Sequence, residues 1–247
     1  MTGLTVDNGA QLNKRGGILR ARLGSLLLLL LPVMAWGQGR TVDAVLSQYG
    51  PQARERLAPH WESLPDHRSF IASKWVALKQ EQQLEIWLQD ENKLWHKLRD
   101  YPIVKTSGSL RPKMRQGDLQ VPEGVYRLDA ANPNSQFHLS LRINYPNSMD
   151  RHYGALEQRD DLGGNIFIHG RDVSWGCLAM GDESIEELFV LAHDIGLDKI
   201  EMVISPRDPR RQPLKRPHGV PEWVELKYQE IEASLAELQS PLPIIWY

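Results

Sequence analysis

Along this chain the pattern of apolar and polar positions changes period twice. From residue 41 to 68 apolar residues recur at an irregular helical spacing, and Pro51, Pro59 and Pro65 are expected to cut the run into short pieces, because an internal proline removes a helix hydrogen bond. From Trp75 the period becomes two. In LEIWLQ (84–89), Leu84, Ile86 and Leu88 alternate with Glu85, Trp87 and Gln89, as in a strand with one packed face. Asp90-Glu91-Asn92 predicts a turn, and KLWHKL the returning strand of a hairpin. PIVKTSG (102–108) and GVYRLDAA (124–131) continue the strand series, the latter after a VPEG turn with proline in its favoured second place. FHLSLRINY (137–145) alternates most cleanly, with Phe137, Leu139, Leu141, Ile143 and Tyr145 on one face. NIFIHG forms a further strand ending at His169-Gly170.

The second change of period follows Gly181. Asp182 and Glu183 put negative charge at a helix start, where the macrodipole favours it. Ile185, Leu188, Ala192 and Ile195 carry the apolar stripe, and Gly196 is a natural stop. KIEMVIS (199–205) is a last strand, and residues 206–219, rich in Pro and Arg, read as a linker or solvated loop. A final helix begins near Pro221, with Val224, Tyr228, Ile231, Leu235 and Leu238 on one stripe. Its other face is rich in Glu, so it is expected to dock on the domain and not on a membrane surface. The fold class is therefore mainly β, a sandwich or partly closed barrel with peripheral helices.

The first residues change the picture of compartment. Lys14, Arg15, Arg20 and Arg22 precede an apolar run, Leu23–Ala35, shorter than the roughly 20 residues of a membrane span. Ala35 and Gly37 suit a cleavage site before Gln38, so residues 1–37 read as a signal peptide. An uncleaved anchor broken by Pro32 is the alternative. Residues 38–71 are then an N-terminal helical extension, 72–205 the main domain, and 206–247 the linker and C-terminal helix. Of the 29 basic and 31 acidic residues, the segment removed holds four basic ones and Asp7, leaving 25 and 30, a formal charge of −5. That acidic body argues against a nucleic-acid partner.

Export makes the single cysteine, Cys177, informative. An unpaired thiol in an oxidising compartment is linked elsewhere, kept reactive, or buried and inert. Cys177 lies eight residues after His169, with Gly170, Ser174 and Gly176 between or beside them. A loop of that length can fold back so that imidazole takes the thiol proton. Gly176 would let backbone amides approach an oxyanion, and Ser174 would shape the turn. From chemistry alone, acyl-transfer catalysis and an inert Cys beside a core His both remain open. His138, His152 and His169 lack metal-ligand spacing, so neither a metal nor another cofactor is expected.

IHG followed by S-x-G-C resembles the signature of the L,D-transpeptidase (YkuD-type) catalytic domain, in particular its YafK-type branch. GDLQVPEGVYRL (117–128), HLSLRINYPNSMDR (138–151) and NIFIHGRDVSWGCLAMGDESIEEL (165–188) carry the resemblance over about residues 72–205. It implies a periplasmic, cofactor-free cysteine enzyme of peptidoglycan stem peptides. Cys177 would be the nucleophile, His169 the base, Gly176 and Cys177 the oxyanion amides, and Gly170 and Ser174 shaping residues. Arg151, His138 and Trp175 would meet substrate, although a solvated or supporting His138 and a loop ion pair at Arg151 are simpler readings of those residues. The branch is associated with hydrolysis of the bond between meso-diaminopimelate and an outer-membrane lipoprotein. Cross-linking members commonly carry His before Gly-Cys and Arg or Asn two residues after the Cys; here those places hold Trp175 and Ala179. Hydrolysis is therefore expected over cross-link formation or lipoprotein attachment, with a non-catalytic wall-binding module as the remaining alternative.

Overall fold

The computed structural model describes residues 39–64 and 70–238. The expected signal peptide and Pro65 lie outside the described residues. One continuous curled sheet of eight strands organises the rest: β1 (Phe70–Leu78), β2 (Gln83–Asp90), β3 (Trp95–Pro102), β4 (Gly124–Asn132), β5 (Ser140–Ile143), β6 (Ile166–His169), β7 (Leu178–Ala179) and β8 (Ile200–Ser205). Their order is β3-β2-β1-β8-β4-β5-β6-β7, with parallel pairs only at β1–β8 and β6–β7. This is the partly closed barrel of the expected fold class, built from one mixed sheet.

The central strand explains how both faces are covered. Trp75 and Ala77 of β1 point to one core, against Ile86 and Leu84, while Val76 and Leu78 point to the other. On the first face lie α1 (Val42–Glu62) and α3 (Asp182–Ile195); on the second lies α4 (Val224–Ala236). The helix bounded by Gly181 and Gly196 thus forms as its caps predict.

Four local expectations need correction. Pro51 and Pro59 sit inside α1 without ending it. Each costs about 3 kcal/mol or more of helix stability, offset here by burial of Val45, Ala53 and Leu57; Arg54 Nε and Nη2 also donate to Asp194 at 2.8 and 2.7 Å. PIVKTSG is not a strand; Lys105 alone bridges to Ala179. FHLSLRINY is regular only over Ser140–Ile143, because His138 adopts φ +74°. Asp150-Arg151-His152 lies not in a loop but in α2 (Ser148–Leu156), opened by a reciprocal cap between Asn147 and Asp150, with both bonds at 3.0 Å.

The C-terminal segment is anchored by buried charge. Lys227 Nζ on α4 reaches Asp150 Oδ1 at 2.7 Å and donates to the Glu123 carbonyl at 2.9 Å. Tyr228 OH donates to Glu123 Oε2 at 2.7 Å, and Lys79 Nζ to Glu123 Oε1 at 2.8 Å. VPEG is thus more than a turn: its Glu123 is fully buried. Within the 206–219 segment Arg210 pairs with Glu85 and Asp208, the latter itself buried, while residues 211–213, 215, 216, 218 and 219 are exposed. On the other face Glu187 of α3 accepts hydrogen bonds from Arg56, Arg99 and Tyr101.

Candidate active site

Strand register brings the histidine to the cysteine. In the parallel β6–β7 ladder Ile168 pairs with Leu178 and His169 with Ala179. Continued one residue upstream, that register sets Cys177 beside Phe167. Alternation puts Phe167 and His169 on one face of β6, so Cys177 and His169 are diagonal neighbours on that face. All three side chains line one cleft of about 300 Å³.

The imidazole is held in one tautomer. His169 Nδ1 lies 2.6 Å from the Gly170 carbonyl oxygen, which can only accept, so Nδ1 carries the proton and Nε2 keeps its lone pair. The ring stacks on Phe137 at 4.6 Å between centroids. Phe137, expected in the core stripe, instead forms part of the cleft wall. Burial pushes the His169 imidazole down, partly countered by the Gly170 carbonyl. Burial pushes the Cys177 thiol up, with the Phe167 backbone amide and the Lys113 charge opposing. Burial thus disfavours the charged form of each group.

The loop from Gly170 to Cys177 is fixed by neighbours distant in sequence. A Cβ on Gly170 would come within 2.6 Å of Asp182 Oδ1 and 2.8 Å of the Phe137 carbonyl, so backbone approaches there too closely for any side chain. Asp182 Oδ1 also accepts the Arg171 N–H at 2.8 Å, closing the loop onto the start of α3. Gly176 has φ +101°, a conformation suited to glycine. Its N–H donates to Ser107 Oγ at 2.6 Å, and Ser107 in turn donates to the Leu119 carbonyl at 2.8 Å. Of the two expected oxyanion amides, that of Gly176 is therefore committed to Ser107. The Ser174 hydroxyl donates to the Cys177 carbonyl at 2.7 Å. Each hydroxyl has one proton, so the 3.2 Å approach of Ser107 Oγ to Ser174 Oγ is a contact with no proton left for it.

Of the expected substrate-binding residues, the structure brings one to the cleft. Trp175 lines it and is 76% exposed, with Val173 beside it. His138 is placed elsewhere: its Nε2 lies 2.9 Å from Glu186 Oε1, and its ring meets Tyr49 edge-on. Arg151 lines a neighbouring hollow and donates to the Pro146 carbonyl. Ala179 is fully buried in β7. Sequence reasoning missed Ser107, Phe137 and Asn165. The last sits at φ +55°, with its carbonyl 3.8 Å from Cys177 Sγ; an Asn after Gly163-Gly164, in the left-handed conformation that Asn tolerates, is the signal that marks it. Among the described residues no three His, Cys, Asp or Glu side chains cluster as metal ligands.

The family model of the YkuD L,D-transpeptidase catalytic domain matches residues 74–201. YafK of Escherichia coli (strain K12), named as a candidate L,D-transpeptidase, is 36% identical over 113 residues, 45% of this chain and 43% of its own length. The same values hold for YafK of Escherichia coli O157:H7, so the chain spans less than half of the curated relatives it matches. Among solved structures, the helical cell shape determining protein Pgp2 of Campylobacter jejuni aligns with a TM-score of 0.44 at 20% identity, covering 64% of this chain and 56% of that one. Bd1075 of Bdellovibrio bacteriovorus aligns with a TM-score of 0.42 at 19% identity, covering 70% and 57%. With more than half of its residues matched by the family model and the signature Cys and His in one cleft, the chain belongs to the YkuD family of L,D-transpeptidase catalytic domains.

Proposed function

We propose that this protein is a periplasmic cysteine hydrolase of peptidoglycan, cleaving the amide that joins meso-diaminopimelate of a stem peptide to a covalently attached lipoprotein. The observation that carries the reading is the pairing of Cys177 and His169 on one face of a cleft, with Nδ1 of the imidazole already committed to Gly170. Periplasmic location rests on the basic and apolar segments of residues 1–37.

The chemistry follows from the free Nε2 of His169 and the cleft it shares with Cys177. As Cys177 Sγ attacks the amide carbonyl, its proton passes to His169 Nε2 and an S–C bond forms. Collapse of the tetrahedral intermediate breaks the C–N bond, and His169 returns the proton to the departing amine. A water molecule then attacks the thioester and gives a proton to His169. The carboxyl product leaves, and Cys177 recovers its proton. Placing the proton on a base within reach avoids the cost of a free thiolate in a buried site.

Two features favour water over a second stem peptide as acceptor. Ala179, in the place where cross-linking members commonly carry Arg or Asn, is fully buried and has no group with which to hold an acceptor. Trp175 replaces the commonly found His and offers an apolar surface at the mouth of the cleft. The test is a reaction with defined muropeptides carrying a lipoprotein-derived peptide, with free stem peptide added as a competing acceptor. Release of that peptide without cross-linked product is expected; cross-linked product as the main outcome would reassign the protein as a transpeptidase.

A further inference from the structure

A second hollow of about 440 Å³ lies beside the cleft. Asp129, Arg142, Asn144, Arg151 and Asn165 supply its polar walls. Asn165 lines both spaces, and its carbonyl oxygen is the atom 3.8 Å from Cys177 Sγ. Asn165 thus stands where two arms of different chemistry meet, with the nucleophile against it. One arm is apolar and aromatic, with Phe137, Phe167, Val173 and Trp175. The other carries two guanidinium groups against one carboxylate.

We infer that the polar hollow is the arm that receives a free carboxylate of the substrate, next to the scissile amide, with Arg151 as its direct partner and Arg142 as a second donor. This deepens the proposed function and rests on it. Arg151 is exposed and uses one nitrogen for the Pro146 carbonyl, so its remaining N–H donors are available to an anion. Arg142 is held by Asp129, Nε at 2.7 Å and Nη2 at 3.2 Å, both side chains partly exposed. That pair can turn part of its fork toward a ligand without uncovering a buried charge. A diaminopimelate-containing stem peptide has the matching chemistry, since it bears a carboxylate close to the amide that is cut.

The experiment uses two synthetic stem tetrapeptides that differ only in whether the diaminopimelate carboxylate is free or amidated. Each is titrated calorimetrically into the full chain carrying Cys177→Ala, and cleavage of a lipoprotein-peptide conjugate of each is followed with Cys177 intact. The free acid is expected to bind about tenfold more tightly than the amide, the ratio one charge-assisted hydrogen bond supplies. Arg151→Gln should abolish that ratio while leaving the affinity for the amide unchanged, Arg151→Lys should retain part of it, and Asp129→Asn should enlarge it. If the parent does not discriminate, or if Arg151→Gln preserves the preference, the carboxylate arm is wrong; continued cleavage of the conjugates would then leave the peptidoglycan reading standing. If neither peptide binds and neither conjugate is cleaved, the reading and the arm fall together.

Discussion

Ser107 Oγ accepts the N–H of Gly176 at 2.6 Å, tying the residue before the nucleophile to a segment 69 positions upstream. The bond orients the Trp175–Gly176 peptide and holds the loop against the 107–120 stretch. A Cβ on Gly176 would stand 3.2 Å from the Gln120 carbonyl, in a backbone conformation that already disfavours it. Ser107→Ala should leave that amide without its partner and cost about 1–3 kcal/mol, with Ser107→Thr recovering most of it. Gly176→Ala should cost a similar 1–3 kcal/mol or so through strain. Urea unfolding of the three variants checks both values.

The pH dependence follows from the direction of the two shifts. His169 acts as base only when neutral, and burial holds its titration below the ordinary imidazole value of 6.5. Activity should persist as pH falls past 6.5 and decline only at the lower folded value. The same shift makes the unfolded chain the better proton binder, so the stability His169 contributes is lost as pH falls from the unfolded value toward the folded one. The thiol, raised from 9.0 by burial, should alkylate with a midpoint above that of an ordinary cysteine in the resting protein. A profile of kcat/KM against pH, beside iodoacetamide rates, measures these points. An alkylation midpoint well below 9 would indicate a preformed ion pair.

Trp175 is the exposed aromatic of the cleft, so its removal separates binding from folding. Trp175→Ala should change unfolding free energy by no more than about 0.5 kcal/mol. Its affinity for stem-peptide substrate should fall about tenfold, as for loss of an aromatic contact. Calorimetry on the Cys177→Ala background, with thermal unfolding alongside, gives both readings.

How much of this was open to sequence reasoning differs from element to element. The α3 helix was legible because its signals are local: Gly181 before Asp182-Glu183, a clean apolar stripe, and Gly196 behind it. Cys177 and His169 were legible because a short segment carries both, and parallel pairing of β6 with β7 converts that spacing into proximity. Ser107 was not, since its partner lies 69 residues away and its neighbourhood reads as a strand. The α1 helix was misread because the packing that overrides Pro51 and Pro59 comes from β-sheet and α3 residues far along the chain. The Asn147–Asp150 cap of α2 is equally local, yet the sequence around Arg151 reads as a loop.

The buried pair Lys227–Asp150 sets how firmly the C-terminal helix is held. Both side chains are almost fully inaccessible, and Asp150 also caps α2. Lys227→Met would strand Asp150 without its cation, so a loss of about 3–5 kcal/mol is expected. The double variant Lys227→Met, Asp150→Asn should recover much of it, because the uncompensated charge is gone. A double-mutant cycle in urea gives the coupling directly; additive losses would mean that α4 is held by its apolar face alone.

The central claim is that Cys177, with His169 as base, releases lipoprotein from peptidoglycan. Mass spectrometry of peptidoglycan–lipoprotein conjugates incubated with the parent protein and with Cys177→Ala tests it most directly. The account predicts that the parent yields free lipoprotein and stem peptides ending in unmodified meso-diaminopimelate, while the variant leaves the conjugate intact. Equal release by both proteins, or conjugate consumed only into cross-linked stem peptides, would contradict it.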